Sequence, residues 1–246
     1  ALIVDHEFLH VAPTRRAAAA HALPLHKLVV PLEGASLYCS HAGNTLVFRG
    51  PVLVAANVLQ AMACSGPSLA VFASPFGSGR SARRALTAIR PLSGREADCA
   101  RSLAGQLLSY GTAAVLTDAT SELSSRLLLS APLDRRVTWL LENLPAPVEA
   151  ARPRITTLAR ALQLSSSRLS HLFSGHTGVS LRSWLSYRRA MTAVRAMAAG
   201  ASGARAATSC GYADQAHLCR QLRGHFGRTP TEIGSANVQA VEARPR

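Results

Sequence analysis

Short apolar runs, three or four residues long, recur through the first 77 positions. They are Leu28-Val29-Val30, Ser36-Leu37-Tyr38-Cys39, Thr45-Leu46-Val47-Phe48, Val52-Leu53-Val54 and Leu69-Ala70-Val71-Phe72. Pro31, Glu33-Gly34, Gly43-Asn44, Gly50-Pro51 and Gly66-Pro67 punctuate them. Brief strands with regular turn residues predict a small barrel or sandwich. Pro75-Phe76-Gly77-Ser78-Gly79 ends that pattern. From 81 to 130 the spacing becomes helical, with Leu103, Leu107 and Leu108 in one stripe and Leu116, Leu123, Leu127 and Leu128 in another. Such helices close the first domain or pair two subunits, and the spacing leaves both open.

Farther on, the helical period dominates. Asp134 to Leu144 places Val137, Leu140, Leu141 and Leu144 on one side, and Pro145, Pro147 and Pro153 bracket a loop. Ser180 to Ala199 reads as a helix of about five turns, with Leu181, Trp184, Leu185, Ala190, Met191 and Val194 apolar. Arg182, Arg188, Arg189 and Arg195 are its basic groups, and Gly200 and Gly203 mark its end. The tail after Ile233 reads as loose.

Around that rod one pattern occurs twice, about 48 residues apart. Ala159-Arg160-Ala161-Leu162-Gln163-Leu164-Ser165 leads into Ser166-Ser167-Arg168-Leu169-Ser170-His171-Leu172-Phe173. Ala207-Thr208-Ser209-Cys210-Gly211-Tyr212-Ala213-Asp214 leads into Gln215-Ala216-His217-Leu218-Cys219-Arg220-Gln221-Leu222. Each copy is a short helix, a tight turn, a capping residue and a second helix with one apolar face, which is the sequence form of a helix-turn-helix. Ser165 and Asp214 are the expected caps, because their side-chain oxygens can accept free amide hydrogens of the first turn. Leu169, Leu172 and Phe173, and then Leu218, Leu222 and Phe226, must face inward. Ser167, Ser170 and His171, and then Gln215, Ala216, Cys219 and Arg220, therefore face outward, where short polar groups near a helix N-terminus can approach base edges. Arg220 suits guanine and Gln215 suits adenine. The competing reading of each is a solvated face or a phosphate contact; Arg168, Arg182, His217 and Arg223 are the phosphate candidates.

Charge strengthens the nucleic-acid reading. The chain carries a formal net charge of +14. Residues 1–130 hold 11 basic and 7 acidic side chains, whereas the shorter stretch 131–246 holds 16 and 6. A positive excess gathered in one half is the footprint of a phosphate-backbone partner. Lys27 is the single lysine. No segment has the apolar length needed to cross a bilayer, and the first residues are acidic where a secretory signal is basic. Five cysteines without CxxC spacing read as reduced thiols, so a cytoplasmic protein is expected.

With these residues in hand, the stretch from about 133 to 233 resembles the DNA-binding domain of the AraC/XylS family of bacterial transcription regulators. The matching positions are Leu158-Ala159, Leu164-Ser165, Arg168-Leu169-Ser170, Leu172-Phe173, Thr177-Gly178-Val179-Ser180, Tyr187-Arg188 and Ala190, followed by Ala207, Gly211-Tyr212, Asp214-Gln215, His217-Leu218, Arg220, Leu222, Phe226-Gly227 and Thr229-Pro230. The resemblance implies two helix-turn-helix units, about 155–178 and 202–227, joined by helix 180–199. It also implies that the second helix of each enters adjacent major-groove segments, with Ser167, Ser170, His171, Gln215, Ala216 and Cys219 at base-contact positions beside Arg220. Two departures stand out. Gln163 replaces the usual turn glycine of the first unit, at a small left-handed conformational cost. Gly203 and Ala206 replace bulky aliphatic residues in the second, which predicts that this unit is the less rigid one.

The N-terminal strands resemble the cupin-like sensor domain of such regulators, with Gln60 where related domains often carry a histidine. His6, His10, His21, His26 and His41 do not form the HxH-plus-carboxylate grouping of a metal-binding cupin, so neither metal nor cofactor is expected. Cys39 and Cys64 read as redox sensors or as buried structural thiols. The resulting expectation is a multi-domain α+β chain. Residues 1–130 form a small cupin-like β-barrel with following helices, serving sensing or dimerisation, and 131–246 form an all-α double helix-turn-helix domain. The expected function is sequence-specific regulation of transcription, not catalysis. Its partners would be promoter DNA, RNA polymerase, a small-molecule effector and a second copy of the chain, with no membrane. The alternative is a cupin-type enzyme with an accessory nucleic-acid domain.

Overall fold

The computed structural model describes residues 2–4, 7–12, 18–76, 81–84, 88–110, 128–144, 154–230, 232 and 239–241. The strands are β1 (Leu2–Val4), β2 (Glu7–Ala12), β3 (Ala18–His21), β4 (His26–Pro31), β5 (Leu37–His41), β6 (Asn44–Phe48), β7 (Val52–Val54), β8 (Gln60–Cys64), β9 (Ser68–Ala73), β10 (Ser81–Arg84), β11 (Ile89–Pro91), β12 (Leu129–Pro132) and β13 (Gln239–Val241). The helices are α1 (Gly94–Tyr110), α2 (Arg135–Glu142), α3 (Ile155–Ala161), α4 (Ser166–Thr177), α5 (Leu181–Ala198), α6 (Gly203–Ser209) and α7 (Gln215–Phe226).

The expected strands form, but they do not close into a barrel. A seven-stranded sheet runs β11-β7-β4-β9-β2-β1-β13, a four-stranded sheet runs β3-β8-β5-β6, and β10 pairs with β12. Burial on both faces explains the larger sheet. Val29, Val52 and Val54 meet Leu37 of the second sheet, whereas Leu28, Val30, Leu53, Leu69 and Val71 pack under Ala100, Leu103 and Leu107 of α1. The Leu28–Val30 stretch of β4 is therefore a continuous apolar run, as a doubly covered strand requires. In β5 the pattern alternates, with Leu37 and Cys39 inward and Tyr38 and Ser40 outward. The β5–β6 hairpin turns on Ala42 (φ 50°) and Gly43 (φ 80°), both in the left-handed region that a two-residue hairpin loop favours.

Two expectations change. The stretch 81–130 is not all helical: β10 and β11 precede α1, and β12 begins at Leu129. Leu116, Leu123 and Leu127 lie outside the described residues. The tail is not uniformly loose either, because Gln239–Val241 adds to the large sheet as a parallel neighbour of β1.

The sheets and the helices share a core. Leu23, Leu25, Phe72 and Phe76 pack in one cluster with Leu169, Phe173, Trp184, Tyr187, Leu218 and Leu222. Phe76 sits edge-on between two rings, 5.7 Å from Phe173 and 4.5 Å from Trp184. At the rim, the free edge of β3 meets the end of α7. Ala19 and Ala22 donate their amides to the carbonyls of Gly227 and Gly224 at 3.4 and 3.2 Å.

Candidate nucleic-acid interface

Each helix-turn-helix unit is built by the same local rules. In the first, α3 ends at a turn where Gln163 takes φ 54°, and Leu164 donates to the Ala159 carbonyl at 2.9 Å. In the second, Gly211 takes φ 70° and Tyr212 donates to Ala207 at 2.9 Å. The identical bond thus recurs 48 residues later. Gln163 does adopt the left-handed conformation that glycine adopts in the second unit, which is the expected departure at its expected place.

Caps then start the second helices. The Ser165 hydroxyl accepts from the Arg168 amide at 3.1 Å, and the Asp214 carboxylate accepts from the His217 amide at 2.6 Å. Ser202 and Ser180 cap α6 and α5 in the same way. Gly178 (φ 74°) and Gly227 (φ 65°) end α4 and α7 in the left-handed conformation of helix C-termini. The helices joining the units are sequestered: Leu169, Phe173, Trp184, Tyr187, Leu218 and Leu222 are all but completely buried.

That inward anchoring fixes what points out. Ser167, His171, Gln215, Ala216 and Arg220 are exposed, and Ser170 and Cys219 are half-buried. Ser170 donates its hydroxyl to the Ser166 carbonyl at 2.8 Å, so only its oxygen lone pairs remain for a partner. Gln215 lies along the start of α6, where a Cβ built on Gly203 would stand 3.0 Å from its Nε2. Among the phosphate candidates, Arg168, Arg182 and Arg223 are exposed, while His217 packs edge-on to Tyr212 at 5.2 Å. Arg189 of the long helix is committed within the protein. Its guanidinium lies 4.1 Å from the centroid of the Tyr212 ring, and it reaches the Gly211 carbonyl at 3.5 Å.

A second polar locus, absent from the sequence reading, lies between the two sheets. Lys27 shares the inward face of β4 with Val29 and is buried, its Nζ 5.8 Å from the Phe72 ring. Burial lowers its pKa to about 8, with the Cys39 thiol nearby acting weakly the other way. No carboxylate pairs with it among the described residues. His21 on β3 bonds to Gln60 at 3.3 Å and to the Ala19 carbonyl at 2.8 Å. Burial first, then Lys27, lowers its pKa to about 4; Arg228 adds to the effect. Gln60 keeps a buried Oε1 that has no partner in the described structure. Three basic groups therefore converge near an orphaned polar atom at the junction of sheets and helices. The signal available in the sequence was a single lysine inside an apolar strand.

The helix-turn-helix domain family HTH_18 matches residues 158–235. No curated protein matches the chain. Among solved structures, the apo form of a ToxT point variant from Vibrio cholerae has a TM-score of 0.62 at 12% identity, covering 94% of this chain and 96% of that one. Wild-type Vibrio cholerae ToxT bound to an unsaturated fatty acid has a TM-score of 0.58 at 12% identity, covering 94% of each chain. Identities this low speak for a common fold alone. Residues 158–235 are a helix-turn-helix domain of the HTH_18 family, and 94% of the chain follows the fold of ToxT.

Proposed function

We propose that the protein is a DNA-binding transcription regulator that lays α4 and α7 into successive major-groove segments of one promoter face. One observation carries this reading. Two N-capped helices, each anchored by a fully buried apolar back, hold short polar groups outward in the more positive half of the chain. Ser167, Ser170, His171, Gln215, Ala216, Cys219 and Arg220 are the base-reading positions, and Arg168, Arg182, His217 and Arg223 the phosphate contacts. RNA polymerase is the protein partner such a regulator serves. The division at 130/131 is the functional one, with sensing before it and DNA binding after it.

Titrating salt into the complex with promoter DNA tests the proposal. Affinity should fall by about 0.9 log units per tenfold salt for each phosphate neutralised. Arg220→Ala should relax preference at a single base pair, costing about 1–3 kcal/mol if it reads guanine. Equal weakening on all sequences would make Arg220 a phosphate contact, and binding indifferent to salt would overturn the proposal.

Lys27 favours a specific effector class. A buried ammonium with no carboxylate partner among the described residues calls for an anion, and the surrounding sheet faces are apolar. The effector is therefore an apolar carboxylic acid, a reading consistent with the fatty acid held by the structurally similar ToxT. For the enzyme alternative no observation speaks. His21, His26 and His41 are each engaged by protein groups, and no cluster of three metal-ligating side chains occurs among the described residues.

A further inference from the structure

Gly203 opens α6, yet nothing in the local backbone requires a glycine there. Its φ is outside the left-handed region that the chain's other turn glycines occupy. The helix around it, Gly-Ala-Arg-Ala-Ala-Thr-Ser, already uses alanine three times, and alanine is the better helix former. A close approach explains the choice. The side chain of Gln215, the first residue of α7, lies where a Gly203 side chain would be. A methyl group at that position would meet Nε2 at 3.0 Å, Cδ at 3.4 Å and Cγ at 3.7 Å. Of these, the terminal amide is the closest and the freest to move, so an added methyl would displace it while leaving both helices in place.

We infer that Gly203 is a positioning residue for DNA specificity: its missing side chain forms the seat that sets where the Gln215 amide meets a base edge. An amide read in a bidentate manner tolerates little misplacement, because both its donor and its acceptor must align with one base. Fixing its rotamer before binding also removes an ordering cost from recognition. The inference rests on Gln215 reading a base, as proposed above. It accounts for a glycine that otherwise only weakens a short helix.

The test uses three full-length proteins: wild type, Gly203→Ala and Gln215→Ala. A preferred DNA sequence is obtained by selection from random duplexes, and each base pair is then varied singly. Gln215→Ala should lose about tenfold preference at one base pair. Gly203→Ala should alter preference severalfold at that same base pair and at no other, with a melting temperature no lower than wild type. A Gly203→Ala profile identical to wild type, or uniform weakening on every sequence, would overturn the positioning role while leaving base reading by Gln215 intact. If Gln215→Ala changes no base preference although DNA is still bound, base reading by Gln215 fails, and the positioning role falls with it.

Discussion

Burying an ammonium at neutral pH disfavours folding, because the charge loses its hydration, and among the described residues no carboxylate pairs with Lys27. Lys27 moves from 10.5 to about 8 on folding, a shift worth about 3 kcal/mol. The sign follows from proton counting. Between pH 8 and 10.5 the unfolded chain binds the proton that the folded chain has released, so stability rises with pH across that window and is flat below it as far as Lys27 is concerned. Lys27→Met should therefore be more stable than wild type at pH 7, by about 1–3 kcal/mol, and should lose that rise. Denaturant unfolding at pH 7, 8, 9 and 10 measures both effects. Under the effector proposed above, an unsaturated fatty acid such as oleate should raise the melting temperature of wild type and leave that of the variant unchanged. A variant less stable than wild type, still stabilised by oleate, would show that Lys27 holds structure and not an effector. His21 works at the other end of the scale: folded near 4 and unfolded near 6.5, it adds a loss of stability as pH falls through that interval.

At the scale of elements, the two helix-turn-helix units differ in how well their first helices are anchored. Helix α3 contributes Leu158 and Ala159 to the core, with Ile155 and Leu162 packed against it; α6 contributes only Ala206 and Ala207, followed by Cys210 in its cap. Less buried apolar area and an initial glycine lower the local opening free energy. Amide hydrogen exchange should be faster at 203–211 than at 156–163 in the DNA-free protein, and slow exchange in α6 would contradict this. The contact of Arg189 with Tyr212 is the feature working against the prediction, since it ties the second turn to the long helix. These units were the most legible part of the chain, because their information is local: the apolar period, the caps Ser165 and Asp214, and the left-handed turns at Gln163 and Gly211 each lie within a few residues. The strands β4 to β7 and β9 were legible for the same reason. Strands β3, β8 and β13 were not, since their pairing depends on partners distant in the chain; β13 joins β1 across nearly the whole sequence. The closed barrel failed on that ground too, as alternation specifies strands but not whether the last one meets the first. At the candidate site, outward positions could be read from helical spacing, whereas the Gln215–Gly203 approach and the Lys27 locus are tertiary facts.

On the scale of the whole molecule, the proposed sensing and DNA-reading parts meet directly where β3 contacts the end of α7. The end of α7 lies on the strand carrying His21, which bonds to Gln60 and senses the charge of Lys27. Gly227 makes this closeness possible, since a Cβ there would stand 2.6 Å from the Ala19 carbonyl and 2.8 Å from His21 Nδ1. Gly227→Ala would impose two penalties, one from φ 65° and one from the collision. Gly178 separates them, because it caps α4 with φ 74° and has open space where its Cβ would be. Gly178→Ala should cost about 1–2 kcal/mol, the left-handed penalty alone. Gly227→Ala should cost clearly more, and it should expose the amides of Ala19 and Ala22, whose acceptors are the Gly227 and Gly224 carbonyls. Thermal melts of both variants with hydrogen exchange at those two amides distinguish the outcomes. Equal destabilisation with unchanged protection would mean that α7 does not rest on β3 in solution. Greater destabilisation with faster exchange would establish that α7 rests on β3, and if the proposed effector acts through that contact, Gly227→Ala should bind DNA with the same affinity whether or not the fatty acid is present.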